Sequence, residues 1–351
     1  MSAAATILAL DLGKYKSVAC LQETQAGEAR FQTLTTARAE LARLIERHRP
    51  AVVVIEARAL AGWVHDLCAE RGVACKVANT ASEAWKYKHA KRKTDRDDAL
   101  RLAQLEALGQ LPAVTNPPRR TREWRALIAY RQGLVGRRVM ARNRVRALLL
   151  GQGPPAPRGR RAWTATGLEG IGAYARPLSE CGPDDLWRGP LHLALAEPRQ
   201  ARELIGQAEA RLDELAEASE AVRPLETVPG VGPRTAEAVA AHLHDPARFR
   251  SGKQVSAYGG LVPRQFQSGE NDRRGRVTKR GPALLRKLLV ECAWAMLRYN
   301  AWARAVYARL SRGKARRKQA IVALARRLLE RLWARWRDRT PRRDGAGAVP
   351  A

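Results

Sequence analysis

Near its start the chain alternates short apolar runs with helical spacing. Residues 6–13 (TILALDLG) are apolar until an acid interrupts them, and residues 17–22 return beside that run across a turn at 13–16. A third strand is predicted over 30–34. Apolar positions at helical spacing over 37–48 stop at Pro50. The β-branched run 51–55 is continuous, as a strand buried on both faces requires. A helix over 60–70 ends at Gly72, a strand follows over 73–77, and a helix over 95–108 stops near Gly109 and Pro112. Three strands, helix, strand, helix, strand, helix is the element order of an α/β RNase H-like (RuvC-like) domain, predicted for 1–118.

Beyond Asn116-Pro117-Pro118 the period changes. Trp124, Leu127, Ile128, Leu134, Val135, Val139, Val145, Leu148 and Leu149 lie on one helical stripe, and Leu204, Ala208, Leu212, Leu215, Ser219 and Val222 approach a heptad seam. Between them, residues 151–160 hold three Gly and three Pro and cannot be helical throughout. The pattern predicts two long helices forming an antiparallel coiled-coil arm over 119–224, with an irregular, Trp-containing insertion at its tip; an arm of this kind also suits dimerisation. A compact, mainly α unit is predicted over 225–310. A basic helical tail over 311–351 follows, with an apolar stripe of Leu324, Leu328, Leu332 and Trp336.

Charge turns this architecture toward a polyanion. The 351 residues carry a net charge of +30, with 45% hydrophobic and 28% charged residues, a globular balance. Residues 1–118 hold 17 Lys+Arg against 13 Asp+Glu; residues 119–351 hold 47 against 21. A GC-rich genome accounts for Arg outnumbering Lys, but not for that uncompensated excess. Neutralised phosphates release condensed counterions, so nucleic acid is the expected partner. No run of about 18 uncharged apolar residues suggests a membrane span, and no secretory leader is evident. Cysteines 20, 68, 75, 181 and 292 form no CxxC pair and read as reduced cytosolic thiols, which makes a structural zinc site an unfavoured reading.

Four acids stand at element ends. Asp11 closes the first strand and Glu56 the fourth, which are neighbours in an RNase H-like sheet. Asp95 and Asp98, three apart in KTDRDDA, share a helix face. Gathered carboxylates repel one another unless cations intervene, and hard oxygen ligands suit Mg²⁺. Taken singly, each has a plainer account: Asp11 a turn residue, Glu56 a partner for Arg58, Asp95 a helix cap. Asp97 points to another face and reads as a solvated charge. Further on, Gly230, Gly232 and Arg234 in TVPGVGPRTA make a Gly-rich turn opening a helix, similar to a helix-hairpin-helix grip on nucleic-acid backbone, or else simply a tight interhelical turn. Ser268 lies in a polar, Gly-flanked loop ahead of Arg273, Arg274, Arg276, Lys279 and Arg280, with Arg264 just before it. An exposed Ser beside cations can attack a phosphodiester, although locally Ser268 also suits a turn residue. Tyr258, beside Gly259, reads as a packed aromatic.

These residues together with PGVGP, FRSGKQVSAYGGLVPRQFQSG and GRVTKRGPALLRKLLVECA resemble the IS110 family of insertion-sequence transposases over nearly the whole chain. The resemblance implies DNA recombination guided by a structured bridge RNA that pairs with donor and target DNA, so that base pairing reads sequence. It implies Mg²⁺ on Asp11, Glu56, Asp95 and Asp98, and a composite site between subunits of a dimer or tetramer. There a serine becomes covalently linked to DNA. By motif position that serine is Ser268, with Ser256 and Ser251 as fallbacks. Gly230, Gly232, Arg234, Arg264, Arg274, Arg276, Lys279 and Arg280 would hold nucleic-acid backbone, and the protein would work in the bacterial cytoplasm at the nucleoid. Two other readings are a RuvC-like junction resolvase that uses water and a non-catalytic nucleic-acid scaffold.

Overall fold

The computed structural model describes residues 6–23, 28–79, 94–268, 271–313 and 316–339. Contacts divide the chain into two compact units, with the boundary between Arg122 and Glu123.

In the first unit, β1 (Thr6–Leu12), β2 (Lys16–Glu23) and β3 (Ala29–Thr35) form an antiparallel meander. After α1 (Arg38–His48), β4 (Val52–Glu56) inserts parallel to β1; after α2 (Ala61–Glu70), β5 (Ala74–Ala78) adds parallel to β4. The helix α3 (Asp95–Ala107) then leads to β6 (Ala113–Val114), and the sheet order is β3-β2-β1-β4-β5-β6. The first five strands have the RNase H-like arrangement. The sixth was not expected: two residues after a proline carry no periodicity, and the strand exists through pairing with Val77 and Ala78 alone.

Period-two alternation sorts the central strands between two cores. Leu8, Leu10, Leu12, Val53 and Ile55 face α1 and α2, whereas Ile7, Ala9 and Val54 face Leu102, Ala103 and Leu105 of α3. Burying each large aliphatic side chain contributes roughly 1.5–3 kcal/mol, so the sheet is pinned in register from both sides.

The second unit opens with two long helices, α4 (Arg119–Gln152) and, beyond the short α5 (Ala165–Gly172), α6 (Arg188–Glu217). Ion pairs Arg131–Glu209 and Arg144–Glu197 tie α4 to α6 in opposite directions, so the two run antiparallel. On α6 the buried seam is Ala201, Ile205, Ala208, Leu212 and Ala216; Ala208 and Leu212 of the expected stripe lie in it, whereas Leu204 and Leu215 are only partly buried, and Val139 of α4 is half exposed. The insertion is ordered around a small core of Val145, Leu149, Ala162, Ile171, Leu191 and Ala194.

The remaining helices are α7 (Val222–Glu226), α8 (Pro233–Leu243), α9 (Gly252–Tyr258), α10 (Ala283–Tyr299), α11 (Ala301–Ser311) and α12 (Arg317–Arg339). Leu324, Leu328, Leu332 and Trp336 of α12 join Leu225, Val239, Leu285 and Met296 in one core. Residues 340–351 of the expected tail lie outside the described residues. Between α9 and α10 the chain forms a hairpin, β7 (Pro263–Ser268) and β8 (Asn271–Val277), where a loop was expected. Its polar strands show no apolar alternation because the pairing is in the backbone, and the single aromatic, Phe266, is 54% exposed. Among the described residues no helix is long and apolar enough to cross a membrane, and all five cysteines are free thiols.

Candidate active site

The parallel register pairs Leu10 with Ile55, which sets Asp11 and Glu56 side by side where β1 and β4 end. Alternation turns both toward α3, onto the face of Ile7, Ala9 and Val54. The first turn of α3 supplies Asp95 and Asp98. Its N-cap is Thr94, whose hydroxyl accepts from the Asp97 N–H while Asp97 accepts the Thr94 N–H in return. Asp97 is therefore a capping-box residue rather than a merely solvated charge, and Asp95 sits one position inside the cap; such boxes contribute about 1 kcal/mol.

Asp11, Glu56 and Asp98 are buried, and Asp95 is exposed. Burial first, then the charges of Glu56 and Asp95, push the Asp11 carboxyl up to about 6. Arg58 opposes this shift. Its Nε donates to Glu56 Oε2, so the plain reading of Glu56 as an ion-pair partner holds beside the functional one. The other carboxylate oxygen, Glu56 Oε1, is buried without a hydrogen-bond partner. A crowded carboxyl and an orphaned carboxylate oxygen are both relieved by a cation, so the donor set fits a hard metal ion. Among the described residues no three Asp, Glu, His or Cys side chains stand close enough to ligate one ion together. The acids share one end of the sheet without closing to ligand distance. Arg58 is the member of this cluster that sequence reasoning met only as a rival for Glu56, and its i,i+2 spacing beyond a strand end was the available signal.

Ser268 is the last residue of β7, paired with Asn271; its side chain and that of Arg274 lie outside the described part of the structure. Arg264 and Arg276 on the hairpin are exposed, as are Lys279 and Arg280 just after it. The hairpin base is closed by backbone bonds to the segment that follows α9: Thr278 N donates to Val262 O at 2.8 Å and Lys279 N to Gly260 O at 3.2 Å. Arg286 Nη1 reaches three carbonyls there, of Gly259, Arg280 and Gly281, at 3.3, 3.0 and 3.2 Å. Sequence reasoning missed Arg286, one arginine among many in a helix. Gly281 has φ +80°, and a Cβ on it would lie 1.9 Å from Tyr258 O. Of the fallback serines, Ser256 is buried on α9 and donates to Glu330 of α12, a correction to its standing as a nucleophile. Ser251 is the residue before α9 and its side chain makes no cap bond. Tyr258 is packed as expected, edge-on to Phe249 and donating to His242 O.

At the predicted grip, Gly230 (φ +93°) lies against α10, where a Cβ would be 2.7 Å from Met296 Cγ, and Gly232 precedes α8. Carbonyl oxygens of Pro229 and Gly230 accept from Asn300 Nδ2 and the Cys292 thiol. Arg234 is engaged internally, with Asp213 and, at 3.0 Å, with buried Glu237.

A family model described as "Transposase IS116/IS110/IS902 family" matches residues 222–308, and a model described as a transposase of the IS110 DEDD group matches 8–154. The chain is 31% identical over 255 residues to the transposase for insertion sequence element IS1111A of Coxiella burnetii, covering 69% of this chain and 66% of that relative. It is 33% identical over 249 residues to a protein of Pseudomonas aeruginosa described as "Probable family 20 transposase", covering 69% and 72%. Among solved structures, Thermus thermophilus RuvC matches 31% of this chain and 99% of its own, at 16% identity and a TM-score of 0.23. The RNase H-like assignment rests on strand order instead.

Proposed function

The chain belongs to the IS116/IS110/IS902 transposase family, and from that premise we propose that it is an insertion-sequence DNA transposase. In this reading Asp11, Glu56, Asp95 and Asp98 hold Mg²⁺, Ser268 attacks DNA, and a structured bridge RNA pairs with donor and target. The observation that carries it is the register of β1 with β4, which sets Asp11 beside Glu56 under the acidic first turn of α3.

Bound there, Mg²⁺ supplies Lewis acidity toward a phosphate and offsets the negative charge growing on its oxygens. The protein's own groups do the rest. Ser268 Oγ bonds to phosphorus as one bridging P–O bond breaks. The released strand leaves as a hydroxyl, and the proton lost by the serine balances the one it gains. A recipient strand's hydroxyl then attacks the phosphoserine ester and restores the serine, so bond energy is conserved through the exchange. Arg264, Arg274, Arg276, Lys279 and Arg280 hold backbone around this step, and base pairing with the RNA selects the sequence. The protein acts as a homo-oligomer, dimer or tetramer, at the bacterial nucleoid.

The test is covalent trapping. Protein incubated with bridge RNA, donor and target DNA and Mg²⁺ should yield a denaturant-stable protein–DNA adduct. That adduct should vanish in Ser268→Ala and Asp11→Asn and on omission of the RNA. Recombination by Ser268→Ala would leave a water-using resolvase, and recombination by Asp11→Asn a scaffold assisting another enzyme.

A further inference from the structure

Away from the carboxylates, the ordered insertion and the two long helices enclose a cavity of about 430 Å³. Leu168, Leu195, Ala196 and Pro198 give it an aliphatic wall, and Arg142, Arg199, Arg202 and Trp163 border it. The volume falls within the range of small-ligand sites. Its cations are unusual. Arg138, Arg142 and Arg146 follow one another at i,i+4 on α4, an arrangement of like charges that weakens a helix. Among the described residues, none of these three, nor Arg199 or Arg202 of α6, makes an ion pair, although acids elsewhere on the same helices do: Glu197 pairs with Arg144 and Glu209 with Arg131. The guanidinium groups of Arg142 and Arg146 lie 4.8 and 5.3 Å from the Trp163 ring centre.

Three donors in this cluster are buried with no acceptor: Arg138 Nε, Arg142 Nε and Trp163 Nε1. Burial and the neighbouring charges of Arg138, Arg146 and Arg202 hold the Arg142 pKa below its ordinary value, so the crowding works against the protein's own stability. A buried donor without a partner carries a desolvation cost that a ligand acceptor removes. The two aspects of the site ask for different things. An apolar wall with planar cationic and aromatic groups suits the face of a heterocyclic base, and unpaired guanidinium groups suit a phosphate.

We propose that this cavity takes one unstacked nucleotide of a single-stranded nucleic acid, its base against Trp163 and the aliphatic wall and its phosphate on Arg142, Arg199 and Arg202. The site lies outside both the carboxylate cluster and the β7–β8 hairpin, and it rests on the reading of the chain as a nucleic-acid enzyme. It would hold a loop or displaced strand at the tip of the arm. Duplexes, whose bases are stacked inside, do not fit.

Full-length protein should be titrated with three fluorescent probes of equal length: a single-stranded RNA, a single-stranded DNA and a blunt DNA duplex. The double variant Arg142→Gln and Arg202→Gln should weaken single-strand binding about ten-fold or more and duplex binding less than three-fold, with an unchanged or raised Tm. Ala196→Trp fills the cavity while leaving every arginine in place and should give the same selective loss. The stronger of the RNA and DNA responses identifies the source of the nucleotide. Unaltered single-strand binding in both variants, or equal losses for strand and duplex, overturns the pocket. Failure of the parent protein to bind any of the probes would count instead against the transposase reading.

Discussion

Arg58 and Glu56 form an ion pair across the end of β4 in which the carboxylate is 1% exposed and the guanidinium side chain 53% exposed. A guanidinium in solvent that neutralises a carboxylate in the core is displaceable by another cation. Arg58→Gln should lower stability by about 1–2 kcal/mol in chelator, because Glu56 keeps its burial and loses its counter-charge. Added Mg²⁺ should raise the Tm of the variant more than that of the parent, and half-saturate it at a lower concentration. Thermal melts across a Mg²⁺ series measure both; an identical Mg²⁺ response in the two proteins rules out competition by Arg58.

Ser256 and Ser268 carry opposite expectations for stability and for DNA attachment. Ser256→Ala removes a buried bond to Glu330 and should cost about 1–2 kcal/mol while leaving DNA attachment intact. Ser268→Ala should leave the melting curve within about 0.5 kcal/mol and abolish attachment. Reversal of that pattern in paired melts and adduct gels would move the nucleophile to α9.

His242 sets a pH dependence. Both its ring nitrogens are buried without partners, and burial, assisted by Arg125, pushes its pKa down to about 4. Between the ordinary histidine value and that one, the unfolded chain binds a proton that the folded chain refuses. Stability therefore falls as pH drops through the window from about 6.5 to about 4. His242→Phe should flatten that slope, recovering about 1–3 kcal/mol at the acid end relative to neutrality. Denaturant midpoints at several pH values give the comparison, and parallel slopes would exclude His242 as the cause.

Gly281→Ala should disturb the β7–β8 hairpin more than the fold around it. Its positive φ and the 1.9 Å approach of Tyr258 O leave no room for a methyl group. The expected loss is about 1–3 kcal/mol, accompanied by faster hydrogen exchange at Thr278 and Lys279. Protection at those amides equal to the parent's would show that the base of the hairpin tolerates the shift.

The first unit was largely legible because its signals are local and redundant: continuous β-branched strands, helices ended by Pro or Gly, and acids at element ends. The register that joins Asp11 to Glu56 followed from the strand order alone. Other features had no such signature. The β7–β8 hairpin is held by backbone bonds with both strands polar, so side-chain period is silent. On α6 Ala208 and Leu212 keep the expected seam, but Ala201 and Ala216 are buried where Leu204 and Leu215 were expected, since a small alanine packs there as readily as a leucine. Thr94 and Asp97 have the i,i+3 spacing of a capping box, a signal that lies within the same acidic run as Asp95 and Asp98. The engagement of Arg234 by Asp213 and Glu237 depends on a partner one helix away, which no spacing rule reaches.

The helix α12 completes the second unit's core with Leu324, Leu328, Leu332 and Trp336, about a hundred residues after Leu225 enters it. During synthesis, then, the RNase H-like unit can fold long before the hairpin-bearing unit has its last wall. A nascent chain would leave the apolar faces of Leu225, Val239, Leu285 and Met296 uncovered until translation has passed Trp336. Any product cut short before that point would have an open apolar core in its second unit and be a substrate for proteases. The second unit's core therefore closes only once α12 has been made.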